Sequence, residues 1–194
     1  MTTGHNQDMT QTQDAPARAR TTAPGSGSVV RRLARRVQRG YAHGEDRPLA
    51  GYTTVIGAYT ALLGLVGGVA RMRGVRLPDH IGVGDTVLLC VGTHKASRLL
   101  AKDSVTSPLR APFTRYQEPA GAGEVNEEVR GSGVRHAVGE LVTCPFCLSV
   151  WLATGFTAGL VLAPRATRIV LTALTAIAGS DTIQIVYDSA KQRA

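Results

Sequence analysis

Two uncharged stretches decide how this chain folds: LAGYTTVIGAYTALLGLVGGVA at residues 49–70 and LVTCPFCLSVWLATGFTAGLVLAP at residues 141–164. They are 22 and 24 residues long, and a helix of about 20 apolar residues crosses the hydrocarbon core of a bilayer. Because a charge inside that core is costly, runs of this length without one are typical of transmembrane helices. The sequence therefore predicts a membrane protein.

Two weaker apolar segments complete a predicted bundle of about four transmembrane helices. They cover residues 79–100, with Asp85, and residues 169–187, with Asp181. The uncharged part of the last segment has 12 residues and is about 18 Å long as a helix, so a half-span or a tilted helix is an alternative there. The predicted fold class is all-α, a polytopic membrane helical bundle over residues 48–188 with a loop at residues 101–140.

The residues before the first span differ sharply in composition. Residues 1–28 are rich in Thr, Gln, Ala, Gly and Pro, and they predict a disordered tail because they offer too little apolar surface to offset the entropy of ordering. Residues 29–47 form a basic juxtamembrane segment, in which Val30, Leu33 and Val37 share a helical face among arginines. That pattern suits either a short helix on anionic headgroups or a solvated basic linker.

The charge of the chain favours anionic lipid headgroups of the bilayer as a partner. It has 22 Lys and Arg against 14 Asp and Glu, and only 5% of its residues are aromatic. No nucleic-acid motif is present, so nucleic acid is not an expected partner. The termini and residues 94–140 carry 17 basic residues and the other side carries five, so both termini and the 101–140 loop are expected to be cytoplasmic.

Small residues recur on one face of two predicted helices. The G-x-x-x-G spacing that allows close backbone approach is found at Gly57, Ala61, Gly64 and Gly68 and again at Gly155, Gly159 and Ala163. We expect both faces to be packing seams, although glycine is common in membrane helices in general.

A pair of thiols begins the third predicted helix. Pro145 suits the first helical position, because its missing N–H would have no helical partner there, so Cys144 is the expected cap and Cys147 the third helical residue. The amide groups and the dipole of a helix N-terminus favour a thiolate. Trp151 shares the face of Cys147 and is expected near the membrane interface.

Three interpretations of the thiol pair are open. In a redox interpretation Cys144 attacks and Cys147 resolves; the string Cys144-Pro145-Phe146-Cys147 is similar to that of a glutaredoxin active site, but no βαβ pattern surrounds it. In a metal interpretation the cysteines supply half of a tetrahedral zinc site and need His136, His94 or a second subunit's pair. In the third, which we favour, they are compact fillers of a crowded helix end that faces a reducing cytosol.

Acidic side chains in membrane helices normally have a partner or mark a pathway. Asp85 is predicted near the outer end of its helix and Asp181 nearer the inner face, so the two are not expected to pair. Asp181 is within expected reach of Lys95, Arg98 or Trp151. A proton path through both aspartates is the less favoured alternative, because the helices mostly lack polar residues between them.

Three blocks of the sequence resemble one bacterial family. They are HKASRLLAKD at residues 94–103, PLRAPF at residues 108–113, and the Cys144 to Cys147 string with Trp151. Over residues 49–188 the chain is similar to the multi-pass membrane proteins grouped as domain of unknown function 1360. The resemblance implies signature residues at Arg98, Asp103, Arg110, Pro112, Phe113, Cys144, Pro145, Cys147 and Trp151. It implies no activity, and a link of some members to sporulation gives no residue a role.

These patterns predict an uncharacterised integral protein of the bacterial cytoplasmic membrane with a structural or interaction role at the cytoplasmic face. A thiol redox or metal-binding protein that uses Cys144 and Cys147 is the principal alternative, and a small proton-coupled transporter is a less favoured one. The expected partner is another membrane protein or a second copy of the chain. No cofactor is assigned, and catalysis is not favoured.

Overall fold

The computed structural model describes residues 47–193 together with residues 29, 32, 33, 36–38, 40 and 41. The chain divides into two compact units, residues 1–43 and 44–194. Every described residue of the first unit is helical, with Leu33 and Val37 exposed. The predicted disordered tail at residues 1–28 lies outside the described residues, and lipid contact by the basic segment stays a prediction.

The second unit is mostly helical. Its helices of ten residues or more are α1 (Leu49–Met72), α2 (Val83–Lys102), α3 (Val134–Thr143), α4 (Pro145–Leu162) and α5 (Pro164–Lys191). Among the described residues, α1, α4 and α5 are long and apolar enough to cross a membrane. The predicted count of about four spans is therefore not confirmed, because α2, which carries Asp85, Lys95, Arg98 and Lys102, is not among the candidates.

The third predicted span is divided by its own proline. At Cys144 the backbone is extended, with φ −100° and ψ 106°, because the residue before a proline avoids the helical region. The part before Cys144 is the end of α3, which begins at residue 134 inside the predicted loop. The apolar helix α4 then has 18 residues.

The fourth predicted span is longer than expected. α5 is one continuous helix of 28 residues that is long and apolar enough to cross a membrane, so the short length that suggested a half-span does not hold. The charges that border its apolar centre, Arg168 and Asp181, are paired with Asp85 and Lys95 of α2. Both of these charges thus have a partner on α2.

The segment predicted as a loop over residues 101–140 contains a β-hairpin, so the fold is mostly helical rather than all-α. Strand β1 (Thr114–Gly121) runs antiparallel to β2 (Glu124–Val129). Gly121 and Gly123 form the turn with φ of +90° and +81°, a backbone region that glycine enters without steric cost. The register pairs Thr114 with Val129, Arg115 with Glu128, and Gly121 with Glu124.

The helix α2 is central to the unit, because it packs against both α4 and α5. Leu171 of α5 is fully buried and lies over Gly92 of α2. A Cβ on Gly92 would come within 2.7 Å of Leu171 Cδ2, so the close approach of the two helices depends on glycine at this position.

The glycine face of α1 is not a packing seam within this chain. A Cβ would meet nothing within 4 Å at Gly57, Gly64, Gly68 and, on α4, Gly155. Gly159 of α4 does lie at a contact, where a Cβ would come within 2.6 Å of Thr167 Oγ1. The predicted seam is thus wrong for α1 within the described chain and holds on α4 only at Gly159.

Candidate functional site at the hairpin end

The signature residues gather at one end of the second unit. Here α2 ends, the hairpin packs against it, and α3 leads into α4; we call this region the hairpin end. After α2 the chain makes a 3₁₀ turn (Ser104–Thr106) and a single helical turn (Ser107–Arg110) before β1 begins. These short turns bring Arg110 back under the end of α2.

Arg110 is a buried arginine whose donors are all used. Its side chain is 1% exposed, and Nε and Nη2 each donate to a different carboxylate oxygen of Glu127 at 2.9 Å. Nη1 and Nη2 also reach the carbonyls of Leu100 and Asp103 at 2.8 and 3.0 Å, and Nη1 donates to the Thr106 hydroxyl at 2.7 Å. Arg110 thus caps the end of α2 and attaches β2 to it, with no N–H left for a ligand.

Glu127 is the functional residue that the sequence analysis missed. Its side chain is 5% exposed and also accepts from the Ser107 and Thr114 hydroxyls at 3.0 and 2.9 Å. Burial raises the pKa of the Glu127 carboxyl, but the hydrogen bonds from Arg110, Thr114 and Ser107 outweigh burial and hold its pKa below the ordinary value. The sequence signal that could have found Glu127 is its spacing from Val125. Side chains two residues apart lie on the same face of a strand, so Glu127 shares the face of the buried Val125.

The tip of the hairpin is held by a second ion pair. Arg98 of α2 donates to Glu124 from Nη2 at 2.7 and 2.6 Å and from Nε at 3.0 Å. Beside it, Asp103 forms an isolated backbone bridge with Glu124, and the Ser104 amide donates to the Gly123 carbonyl at 2.9 Å. The signature residues Arg98, Asp103 and Arg110 therefore anchor the hairpin.

Pro112 and Phe113 contribute their carbonyl groups at the base of the hairpin. The Pro112 oxygen accepts from the side chains of Arg130 and Arg135, and the Phe113 oxygen accepts from the Arg130 amide at 2.9 Å. Gly139 of α3 packs here, because a Cβ on it would lie 3.1 Å from the Phe113 oxygen. These carbonyls join the hairpin to α3.

The cysteine pair has the predicted local geometry. Cys144 caps α4, Pro145 occupies its first turn, and the Cys147 amide donates to Cys144 Sγ at 3.3 Å. Burial opposes ionisation of the Cys144 thiol, but hydrogen bonds from Cys147 and from the amides of Cys147 and Phe146 outweigh it, so the pKa of Cys144 lies below its ordinary value. Both thiols are free, and Cys147 is exposed.

His136 does not complete a metal site with the thiols. Its Nε2 lies 3.4 Å from Glu140, and its Nδ1 lies 3.3 Å from the Gly131 carbonyl. Within residues 47–193 and the described part of the first unit, no group of three or more His, Cys, Asp and Glu side chains is placed to hold a metal ion. The zinc ligand set of Cys144, Cys147 and His136 is thus not assembled.

A cleft of about 330 Å³ lies between α1 on one side and α3 and α4 on the other. Its walls are mostly apolar and include Ile56, Leu141, Val150 and the exposed Cys147. The charged residue in its wall is Glu140, which accepts from the Tyr52 hydroxyl at 2.6 Å and has its Oε1 3.6 Å from Arg47 Nη1.

Trp151 lines this cleft together with two tyrosines of α1. Its ring meets Tyr59 of α1 edge to face, with centroids 5.1 Å apart and planes at 68°. The Tyr59 hydroxyl is 2.7 Å from the Thr154 hydroxyl on α4. The signature tryptophan therefore supports the contact between α1 and α4.

The two membrane-helix aspartates have separate cations. Lys95 Nζ lies 2.7 Å from Asp181 Oδ2. Of the three partners predicted for Asp181, Lys95 is therefore the one that pairs with it. Arg168 donates to both oxygens of Asp85 at 2.8 and 2.7 Å. Each aspartate thus joins α2 to α5 at its own level.

The three candidate spans fit a helical membrane protein, and its hairpin end is held by the pairs of Arg98 with Glu124 and Arg110 with Glu127. The chain belongs to the family described as protein of unknown function (DUF1360), which matches residues 88–187. It is 34% identical to the sporulation protein YjcA of Bacillus subtilis (strain 168) over 98 residues, which are 48% of this chain and 83% of that protein. No solved structure matches the chain. The family match includes the hairpin and the cysteine pair, whereas α1 precedes it.

Proposed function

We propose that this chain is a multi-pass protein of the bacterial cytoplasmic membrane that holds its hairpin rigidly at the cytoplasmic face as an interaction element. The observation that carries the proposal is the use of Arg98 and Arg110: both form two-pronged pairs with glutamates of β2. Because the guanidinium groups of both signature arginines donate to these glutamates, the arginines position the hairpin rather than bind a substrate.

The outer surface of the hairpin suits a protein partner. Tyr116 of β1 is 63% exposed, and the neighbouring Gln117 and Glu118 are exposed as well. A tyrosine on a rigid strand offers a large contact area at little loss of conformational entropy, and tyrosine is enriched at protein interfaces. The partner is another membrane protein or a second copy of this chain.

The proposed orientation follows from charge. The side that holds the hairpin end and the termini has 17 basic residues against five on the other side, and this excess supports a hairpin that lies in the cytoplasm. In this arrangement α2 crosses the bilayer together with the three apolar helices. Its Asp85 and Lys95 are compatible with that position because α5 supplies a counter-charge to each.

A photo-crosslinking amino acid at Tyr116 tests the interaction role in intact cells. Because the relative in Bacillus is named a sporulation protein, the experiment compares growing with sporulating cells. The matched control carries the same amino acid at Leu77, an equally exposed residue beyond the far end of α1. We expect a discrete crosslinked protein from position 116 alone, whereas identical crosslinks from both positions, or none from position 116, would refute the role.

Thiol redox chemistry is a second candidate, favoured by the contact between Cys147 and Cys144 Sγ and by the lowered pKa of Cys144. In this scheme the Cys144 thiolate attacks a partner's disulfide and releases one thiolate. Cys147 then displaces the second thiolate and leaves a Cys144–Cys147 disulfide, so the partner gains two electrons.

Alkylation of the purified protein with mass analysis, before and after exposure to a disulfide reagent, tests the redox candidate. The matched variants are Cys144→Ser, which keeps a good helix cap, and Cys144→Ala, which loses the cap and about 1 kcal/mol of stability. Redox chemistry is supported if the disulfide forms reversibly and if the folded Cys144→Ser protein cannot replace the wild-type protein in cells. Two inert thiols would remove it.

A further inference from the structure

Two arginines meet at one carbonyl oxygen between the hairpin and α3. Arg130, which follows β2, donates to the Pro112 oxygen from Nε at 3.4 Å and from Nη2 at 3.3 Å. Arg135, the second residue of α3, donates to the same oxygen from Nε at 2.9 Å and also from Nη2. Four N–H groups therefore share an acceptor that has two lone pairs, so the demand for an acceptor exceeds what Pro112 supplies.

The charge of this pair is not compensated. Within the part of the chain that the structure describes, neither Arg130 nor Arg135 has a carboxylate partner, whereas Arg98 and Arg110 each have a glutamate. Arg135 also lies in the first turn of α3, which contains no acidic residue and where the helix dipole disfavours a cation. Two adjacent guanidinium groups of this kind attract an anion.

The arginine pair is level with the start of a candidate membrane span. Gly51 is the third residue of α1, and a Cβ on it would lie 2.5 Å from the Gly133 oxygen and 3.0 Å from Ala137 Cβ. Gly133 and Ala137 lie two residues to either side of Arg135, so the beginning of α3 touches the beginning of α1. The phosphates of lipid headgroups occupy this level of a bilayer, just outside the hydrocarbon core.

We propose that Arg130 and Arg135 form a binding site for a phosphate group, and that the headgroup phosphate of an anionic lipid occupies it. The planar fork of arginine matches pairs of phosphate oxygens, and the phosphate takes over the N–H groups that now crowd onto Pro112. The position beside α1 favours a lipid over free phosphate. This site is independent of the interaction role proposed for the hairpin.

Native mass spectrometry of the full chain in a neutral detergent tests the site. The probes are phosphatidylglycerol, phosphatidylcholine, whose choline cation the arginines repel, and inorganic phosphate in a separate titration. We expect phosphatidylglycerol to bind more tightly than phosphatidylcholine, and Arg130→Gln with Arg135→Gln to weaken it roughly 30-fold. The control, Arg71→Gln with Arg73→Gln, removes the same charge near the other end of α1 and should leave binding unchanged.

A second double variant distinguishes a loss of lipid binding from a loss of folding. Arg130→Lys with Arg135→Lys gives up the forked contacts to Pro112 but keeps both charges, so it should retain much more phosphatidylglycerol than the glutamine variant. If the glutamine variant does not elute as a single species, phosphatidylglycerol binding by the lysine variant is the deciding measurement: retained binding supports the site, and lost binding in a folded lysine variant contradicts it. Equal binding in wild type and the glutamine variant, or an equal loss in the Arg71 and Arg73 control, would overturn the site. Arginine-dependent binding of inorganic phosphate alone would overturn the lipid assignment.

Discussion

Arg110 and Glu127 hold the hairpin through charges that water does not reach. Removal of an ion from water costs several kcal/mol even after relaxation, and the attraction between two buried ions offsets that cost only with good geometry and further hydrogen bonds. Here the two contacts of 2.9 Å between the side chains are supplemented by hydroxyl groups of Thr106, Ser107 and Thr114. Neither residue can be removed without leaving the other buried and unpaired.

Replacement of Arg110 by Met is therefore expected to lower the free energy of unfolding by about 3–5 kcal/mol, because Glu127 would keep an uncompensated charge. Chemical unfolding of the purified protein in detergent measures the loss. The matched control is Arg98→Met, which breaks a pair whose side chains are 44% and 21% exposed and should cost about 1 kcal/mol or less. Equal losses in the two variants would contradict the importance of burial.

The pKa of Glu127 also predicts how stability depends on pH. A carboxyl whose folded-state pKa lies below its unfolded value stabilises the fold above the unfolded pKa, and that contribution is lost as pH falls through the folded pKa. For Glu127 the ordinary value is 4.5 and the folded value is lower, so the loss is expected below about pH 4.5. As pH is lowered through this range, the melting temperature of wild type should fall more steeply than that of Glu127→Gln. Parallel plots of melting temperature against pH would contradict the prediction.

At the scale of elements, α1 is attached to the rest of the unit near its beginning. Gly51 faces the Gly133 carbonyl and Ala137 of α3, and farther along the aromatic contact of Tyr59 with Trp151 reaches α4. Beyond that contact the glycine face of α1 is open. The close approach at Gly51 therefore decides how α1 sits on α3.

Gly51→Ala is expected to destabilise the protein by about 1–3 kcal/mol, since the new methyl group would lie 2.5 Å from a backbone oxygen that cannot rotate away. Gly57→Ala is the matched control on the same helix, because a Cβ there meets nothing within 4 Å and alanine has the higher helix propensity. Thermal unfolding in detergent compares the two variants. A loss in Gly57→Ala as large as that in Gly51→Ala would show that the contact with α3 is unimportant.

At the scale of the whole molecule, α2 and α5 are joined by ion pairs near both ends. Asp85 with Arg168 lies toward the start of both helices, and Lys95 with Asp181 lies toward the hairpin end. Between them the fully buried Leu171 packs on Gly92. These pairs explain how a helix as polar as α2 packs beside two candidate spans, and they support a packing role for both aspartates.

Charge exchange tests the pairing. Lys95→Asp and Asp181→Lys should each lower the melting temperature, because each places two like charges where atoms now lie 2.7 Å apart. The double variant restores an opposite pair and should recover most of the loss, as expected for residues in direct contact. Additive losses in the double variant would mean that the two charges do not interact.

The orientation of the chain gives a further prediction. In a background with the three cysteines replaced by serine, Ser104→Cys at the hairpin end should resist an impermeant maleimide added to intact cells, and Asp79→Cys should react. Both positions are exposed, so their difference reports the side of the membrane. The reverse pattern would overturn the cytoplasmic placement of the hairpin.

Elements with local signals could be predicted from the amino-acid sequence. The first uncharged stretch predicted α1 at its observed start, because the length of a span is set by bilayer thickness. Pro145 predicted the helix cap at Cys144, because the constraints of proline act on its immediate neighbours. The family resemblance likewise marked Arg98 and Arg110 before their partners were known.

The hairpin, the partners of the arginines and the position of α2 depend on contacts between residues that are distant in the chain, and they were found in the folded structure. Strand β2 has the sequence EVNEEV. Because Glu and Asn are depleted in strands, the low strand propensity of this segment gave no indication that it pairs with β1. Glu127 lies 17 residues from Arg110, and no local pattern reports a contact that depends on how intervening turns close. The polar helix α2 is stabilised between α4 and α5 by charges on α5, and those charges lie beside it only in the folded molecule, because packing brings together residues that are distant in the chain.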